Sequence, residues 1–425
     1  MTIESGARDE TDATPAPAMQ PKRRGGRRFE DRREHIVGVA TALLNRLGAR
    51  GMTLADVASA AGMVTTGVSY YFGRKEALAA ACFEAGLARM TALAEAAAAE
   101  PTAEERLARL IRGYFDLAGR IARGEAPDIP IFSDIRTLGE PYQGAVGRQY
   151  YAFFRTVRGL LRTPELAWLR GDAAAARTNL ILEQIYWLRA WLHLYDLEDY
   201  PRLAERVIDV LLNGLAGPDA VWNPRPLNLE AGRAEGGPPE ELLIAATRQI
   251  NLHGYKGASV QRISAALKRT KGAFYHHTDA KGDLVAAGFD RTLDLLKRAQ
   301  LAALDLDADA WVRLHSAAAA LAEFQMSPRG PLMRTSALQS LPEPERGRVV
   351  DRAYRIARRF AGMISDGAAA GVLRPVDPAV AAQMLSAAVN SVADMRLRPT
   401  EYGPEDADRQ YMAPFLMGIL KRTQV

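Results

Sequence analysis

Residues 34–83 align on residues 240–289 without a gap, at a constant offset of 206, with twelve identities. These identities, Asn45/Asn251 and Gly48/Gly254 among them, fall at turn and core positions, a pattern chance does not favour. The chain is therefore a duplication, and whatever the first stretch folds into, the second must form as well. Its 425 residues leave room for two such units, since chains beyond ~250–300 residues divide into domains. With 48% hydrophobic and 25% charged residues there is apolar surface for more than one core.

Within the first copy, Ile36, Val39, Ala40, Leu43, Leu44 and Leu47 recur at helical spacing, and Gly48 ends that run. Thr53 is placed to cap a second helix whose inner stripe is Leu54, Val57, Ala58 and Ala61, stopped at Gly62. A third helix starts near Thr65 and buries Val68 and Phe72 one turn apart. Three short helices with a Gly-containing turn between the last two describe a helix-turn-helix, whose last helix enters a DNA major groove. Charge agrees with this. Residues 22–78 carry a local +6 and residues 238–284 a local +3, against +5 for the whole chain, so both copies are basic islands in a mildly acidic body.

The stretch "MTLADVASAAGMVTTGVSYYFGRKEAL" (52–78) resembles the helix-turn-helix signature of the tetracycline-repressor-like (TetR) regulators, and "GYKGASVQRISAALKRTKGAFYHHTDAKGDL" is similar to it in the second copy. The resemblance implies an all-α chain of two tandem TetR-like units. Each would be a three-helix DNA-binding domain followed by a helical domain that binds a small effector and dimerises. The boundaries expected are a disordered tail over 1–28 ending in a basic arm, helix-turn-helix domains over 29–80 and 239–286, helical domains over 81–216 and 287–425, and a linker over 217–238.

By resemblance, DNA contact is assigned to Thr65, Thr66, Ser69, Tyr70, Tyr71 and Lys75 in the first unit, and to Lys271, Gly272, Tyr275, His276, His277 and Lys281 in the second. Lys22, Arg23, Arg24, Arg27 and Arg28 form the arm, which either follows an adjacent minor groove or only solubilises the chain. Two departures from the family pattern stand out. Val64 replaces the usual capping Ser, with Thr65 available to cap instead. In the second unit Lys268 and Thr278 replace the turn Gly and a buried Phe, predicting a weaker core.

Residues 180–197, "LILEQIYWLRAWLHLYDL", read as one buried helix on which Trp187, Trp191 and Tyr195 share a face, either as core or as part of an effector site. "VAAQMLSAAVNSVADM" is rich in small residues and suited to close packing against a partner helix. The breaks "GEAPDIPIFSDI" and "SPRGPLMRTSALQSLPEPE" are expected to border the effector cavity in each unit.

Enzymatic readings find no support, since the chain has no phosphate loop, HExxH or paired-Cys motif, and Cys82 has no basic partner. No cofactor or metal is expected. The single cysteine, the absence of an apolar signal core and the lack of an uninterrupted membrane-length apolar run point to the cytoplasm and away from a membrane. The expected partners are a double-stranded DNA operator, a small-molecule effector of unknown identity, and either an intramolecular pseudo-dimer or a homodimer. The expected function is a repressor released by its effector. The alternative is a sensor or assembly protein in which one or both helix-turn-helix units no longer bind DNA.

Overall fold

The computed structural model describes residues 23–229, 238–267, 281–393, 403 and 406–422. Helix α1 spans Arg23–Gly51 and is bent at Gly48, which sits at φ 69 with open space around its α-carbon. The expectation of a disordered tail through residue 28 therefore gives way from Arg23 onward. Residues 27–34 hold no Gly or Pro, and once a helix is nucleated each further residue adds a hydrogen bond. Thr53 caps α2 (Leu54–Ala60) in a reciprocal box with Asp56, and Gly62 turns the chain at φ 63 into α3 (Thr65–Tyr71). Thr65 does not take over the cap. It is the first helical residue, and Val64 stands at the cap position with no side-chain bond to offer. Val68 and Phe72 are buried as the spacing requires.

The rest of unit 1 is α4 (Lys75–Ala97), α5 (Ala103–Ala122), α6 (Tyr142–Gly159), α7 (Gly171–Trp191) and α8 (Tyr200–Asn213), with a short 3-10 turn at Phe132–Thr137. By length and composition α4 is apolar enough to cross a membrane, but it packs against α1, α5 and α6 inside the core. Helix α7 ends earlier than the single helix expected over 180–197. Trp191 leaves the helical region at φ −138, residues 192–194 form a 3-10 turn, and Pro201 restarts the chain at the head of α8. Tyr195 therefore lies beyond the helix, and its ring meets Trp191 edge-on at 5.7 Å.

Unit 2 repeats this order as α9 (Glu240–Gly257), α10 (Val260–Ala266), α11 (Lys281–Leu304), α12 (Ala310–Met326), α13 (Glu343–Ala369) and α14 (Pro378–Ser391). A π-turn at Asp408–Met412 then leads into α15 (Ala413–Met417). Gly254 bends α9 at φ 68, as Gly48 bends α1. Among the described residues there is no strand, only one antiparallel bridge between Ala216 and Leu373.

Equivalent elements of the two units pack on each other. Helix α7 lies along α14, and α8 meets α14. Ala381, Ala382, Leu385 and Ala388 are buried there, consistent with the small-residue stripe read from the sequence. Gln184 donates to Met384 O at 3.0 Å, Asn390 donates to Glu183, and Arg177, buried, donates to Ile419 O at 2.9 Å. At the far end two glycine turns interlock. A Cβ on Gly214 would stand 2.4 Å from Leu416 O, and one on Gly418 would stand 2.5 Å from Leu212 O. Leu215 N donates to Leu416 O at 2.8 Å, and Ile419 N donates to Leu211 O at 3.0 Å. From there residues 217–229 run onto unit 2, where Trp222 is buried and donates to Asp408 at 3.1 Å.

Candidate functional site

The outer face of α3 is polar and open. Thr65, Thr66 and Tyr70 are exposed, with Tyr70 75% accessible, and Ser69, Tyr71 and Lys75 are half-buried beside them. Phe29 supports this face from α1, its ring 4.7 Å from Tyr71 and 6.1 Å from Tyr70, while the Arg33 guanidinium lies 5.1 Å from the Phe72 ring. The start of α1 is thereby pinned next to α3, and Arg27 and Arg28 are exposed on it. A helix about 10–12 Å across is wider than a minor groove of about 6 Å, so from Arg23 onward the arm does not lie in that groove as an extended strand. Arg23 and Arg24 lie within α1. Lys22, Lys271, Gly272, Tyr275, His276 and His277 lie outside the described residues, as do Lys268 and Thr278.

Lys75 and Lys281 play matching parts. Lys75 Nζ donates to Arg50 O at 2.9 Å, and Lys281 Nζ donates to Tyr255 O at 2.7 Å while lying 4.1 Å from the Tyr255 ring. Each ammonium thus meets the carbonyl end of the preceding long helix, where the helix dipole is negative. Those two helix ends face a shared cleft of about 310 Å³ between the helix-turn-helix units, lined among others by Arg50, Asp134, Thr137, His253 and Gly257. Burial, then Arg262 and Arg50, hold His253 below its ordinary pKa, and burial, then Arg50, hold Lys281 below its own. Burial pushes the Asp134 carboxyl up to about 6, against the pull of Arg136 and Ser133.

A second cavity, of about 170 Å³, lies within unit 2 and reaches the inter-unit seam. Its wall is mostly apolar side chains of α11, α13 and α14 and of the break after α12, including Leu293, Met333, Leu338, Phe360 and Val389, and α7 adds Trp187 and Ala190. Trp187 Nε1 donates to Gln383 Oε1 at 3.3 Å. Trp191, almost fully buried, is core, and neither it nor Tyr195 is among the cavity's lining.

The corresponding region of unit 1 is filled. Asn45 donates to Ile129 O at 2.9 Å and accepts from Ile131 N at 3.0 Å. Asn251 makes the same pair of bonds with Leu332 O, at 2.8 Å, and Arg334 N, at 3.0 Å. This register sets Phe132 against Thr335. In unit 1 the buried Phe132 ring packs with Tyr150, Phe153 and Tyr186 at centroid distances of 6.1, 6.5 and 5.6 Å. Gly86 admits this packing, since a Cβ there would fall 2.3 Å from Pro130. In unit 2 the repeat places Thr292 at that position, where its hydroxyl accepts from Met333 N at 2.9 Å, and both Thr292 and Thr335 line the open cavity.

Residues 36–82 and 242–287 match the amino-terminal domain described as bacterial regulatory proteins, tetR family, and residues 307–394 match the tetracyclin repressor-like C-terminal domain. The chain is a TetR-like regulator of two tandem units. Among solved structures it is similar to PfmR, a TetR family transcriptional regulator from Thermus thermophilus, at 26% identity over 43% of this chain and 99% of that one, with a TM-score of 0.36. It is also similar to apo AibR, at 24% identity over 42% and 97%, TM-score 0.34. The ketosteroid transcriptional regulator KstR2 of Mycobacterium tuberculosis matches at 20% identity over 44% and 96%, TM-score 0.37. No curated protein matches.

In this TetR-like chain the C-terminal-domain match falls on the unit with the open cavity. Sequence reasoning placed an effector role on Trp187 and expected the breaks of both units to border an effector cavity. The wall belongs to unit 2, and the break "GEAPDIPIFSDI" carries a plug rather than a rim. Phe29 and Arg50 were also missed as neighbours of the proposed face and cleft. The only signal for Phe29 was an aromatic directly after a basic run. Cys82 is buried and its thiol is pushed up to about 12, so it is no nucleophile at neutral pH.

Proposed function

We propose that the chain is a transcriptional repressor that binds its operator as a covalent pseudo-dimer and is released by a small molecule held in a helical domain. The observation that carries this reading is the pairing of α7 with α14 and of the Gly214 turn with the Gly418 turn, which joins equivalent parts of the two units as a dimer interface would. One chain then presents two helix-turn-helix units to successive major grooves, ~34–36 Å apart on DNA. Because the two contact faces differ in sequence, the operator is an imperfect palindrome. Thr65, Thr66, Ser69, Tyr70, Tyr71 and Lys75 contact one half-site. Lys271, Gly272, Tyr275, His276, His277 and Lys281 contact the other. Effector binding shifts the population toward an arrangement whose spacing no longer fits. The protein acts in the cytoplasm.

The test is a nuclease footprint of the full chain on DNA flanking its own gene. Replacing Lys271, His276 and His277 together by Ala should erase one half of an asymmetric footprint, and replacing Thr65, Thr66 and Tyr70 by Ala should erase the other. A footprint that ignores the first set would make unit 2 a sensor or scaffold, with the first units of a homodimer reading DNA. Binding with little salt dependence would remove the DNA-reading function itself, because ~6–10 phosphate contacts lower affinity by about 10³–10⁵ between 50 and 200 mM salt.

A further inference from the structure

The two units hold the segment after their third long helix in the same register through Asn45 and Asn251, yet unit 1 fills the space behind it with Phe132 while unit 2 has Thr335 there. One site per chain follows, rather than two. The open cavity, about 170 Å³, is comparable to an engineered apolar cavity of about 150 Å³ that stays dry and takes up benzene.

Its wall defines the guest. No charged side chain lies among the cavity's lining residues. Several polar groups at the wall already have partners: Gln325 donates to Val389 O at 3.1 Å and accepts from Leu332 N at 2.8 Å, Thr292 accepts from Met333 N, and Ser386 donates to Ala382 O at 2.9 Å. A charged or strongly polar guest would leave water and gain little in return, whereas an apolar one gains contact with the largely apolar wall.

The cavity also touches the other unit. Trp187, on α7, bonds Gln383 across the seam, and Tyr354 of the wall bonds His193, just beyond α7, at 3.1 Å. Both bonds run from unit 2's cavity wall to the end of the unit 1 helix that forms the pseudo-dimer seam.

We infer that each chain takes one neutral, apolar molecule the size of a single aromatic ring or a short alkyl group, in unit 2 alone, and that unit 1 reads its presence through Trp187. This deepens the effector-released reading and rests on it for its regulatory meaning, but the binding itself needs no DNA. Trp187 is a reporting residue here, and the cavity supplies the affinity.

The experiment titrates the full chain, without DNA, with toluene, following tryptophan emission and, by calorimetry, stoichiometry. One toluene per chain is expected, with an emission change that Trp187→Phe, which binds more weakly because residue 187 lines the cavity, loses even at toluene concentrations where calorimetry shows the site filled. Thr335→Phe, which gives unit 2 the ring that unit 1 already has, should weaken binding roughly tenfold or more. Benzoate, similar in size but charged, should not bind at concentrations where toluene saturates. Two toluenes per chain, no saturable binding, or equal binding of benzoate would overturn the site, and an emission change that survives Trp187→Phe would overturn the reporting role. If Thr335→Phe does not fold, Phe132→Thr serves instead, since it should open unit 1 and raise the count to two; a count that stays at one would overturn the plug argument. Toluene binding in a chain that leaves no footprint would sink the DNA-binding proposal and keep this site, and a footprint without toluene binding would do the reverse.

Discussion

Unit 1 and unit 2 share a backbone plan and differ in what fills it. Both bend their first long helix at a glycine near φ 70, both hold the post-break segment with one asparagine, and both bring a lysine to the carbonyl end of that bent helix. Inside, Gly86 and Phe132 close unit 1, while Thr292 and Thr335 keep unit 2 open. Backbone register is fixed by a few directional bonds and tolerates little change. The interior between those bonds can be packed solid or left hollow by exchanging two side chains, so a duplicated chain can devote one copy to rigidity and the other to binding.

The largest effect should come from breaking the pairing that makes the comparison possible. Gly214→Ala and Gly418→Ala each add a Cβ within about 2.5 Å of the other unit's backbone, and at positive φ. Strain and clash together should cost about 3–5 kcal/mol for either one, read by urea denaturation, with the single transition splitting into two as the units part. Gly48→Ala is the control. It also has positive φ but open space, and should cost about 1 kcal/mol. If all three cost the same, the turns do not join the units.

Next is the contrast of interiors. Phe153→Ala empties a packed aromatic cluster and should destabilise by about 3–5 kcal/mol. Leu338→Ala only enlarges a wall that already borders open space, and should cost about 2 kcal/mol or less in the same denaturation experiment. Equal costs would mean the unit 2 cavity is filled in solution.

The cleft between the helix-turn-helix units offers a pH test. The Asp134 carboxyl is held up at about 6 in the folded chain, against 3.8 when free. Unfolding therefore releases a proton between those values, and stability present at low pH is lost as pH rises from about 4 to about 6. Asp134→Asn should stabilise the chain by about 1–3 kcal/mol at pH 7.5 and by almost nothing at pH 3.5, measured by thermal melts across that range. His253 acts in the opposite sense, since its lowered value costs stability as the solution is acidified below its free value of 6.5, so the Asp134 effect is read as the difference between variant and parent.

Much of the plan was legible in the sequence. The repeat located both helix-turn-helix units, Thr53 announced its cap, and Val68 and Phe72 were assigned to the core by their spacing. The interiors were not legible, because Phe132 and Thr335 fall outside the stretch where the copies align at offset 206. Their equivalence, at an offset of 203, emerges only through the bonds of Asn45 and Asn251. The end of α7 was missed for a related reason. Periodicity runs on through Tyr195, but Trp191 turns out of the helix, and the two rings meet edge-on beyond its end. Apart from Lys281, the face of unit 2 lies outside the described residues, and its assignment stays with the resemblance.

The smallest effect distinguishes the two units as DNA readers. Both lysines spend one hydrogen bond on a helix end, worth about 0.5–1 kcal/mol with the dipole contribution, and Lys281 also sits on the Tyr255 ring. Lys281→Ala should therefore cost more stability than Lys75→Ala, by roughly 0.5–1 kcal/mol, in parallel urea titrations. An ammonium has three donors, so the remainder can meet a phosphate without giving up the helix end. If both units read DNA, each substitution should lower the slope of log affinity against log salt by about one, evenly across operator sequences. If unit 2 is a scaffold, only Lys75→Ala will move the slope, and the effect of Lys281→Ala will appear in the denaturation curves alone. The same side chain in the same local geometry would then serve a fold in one copy and a groove in the other.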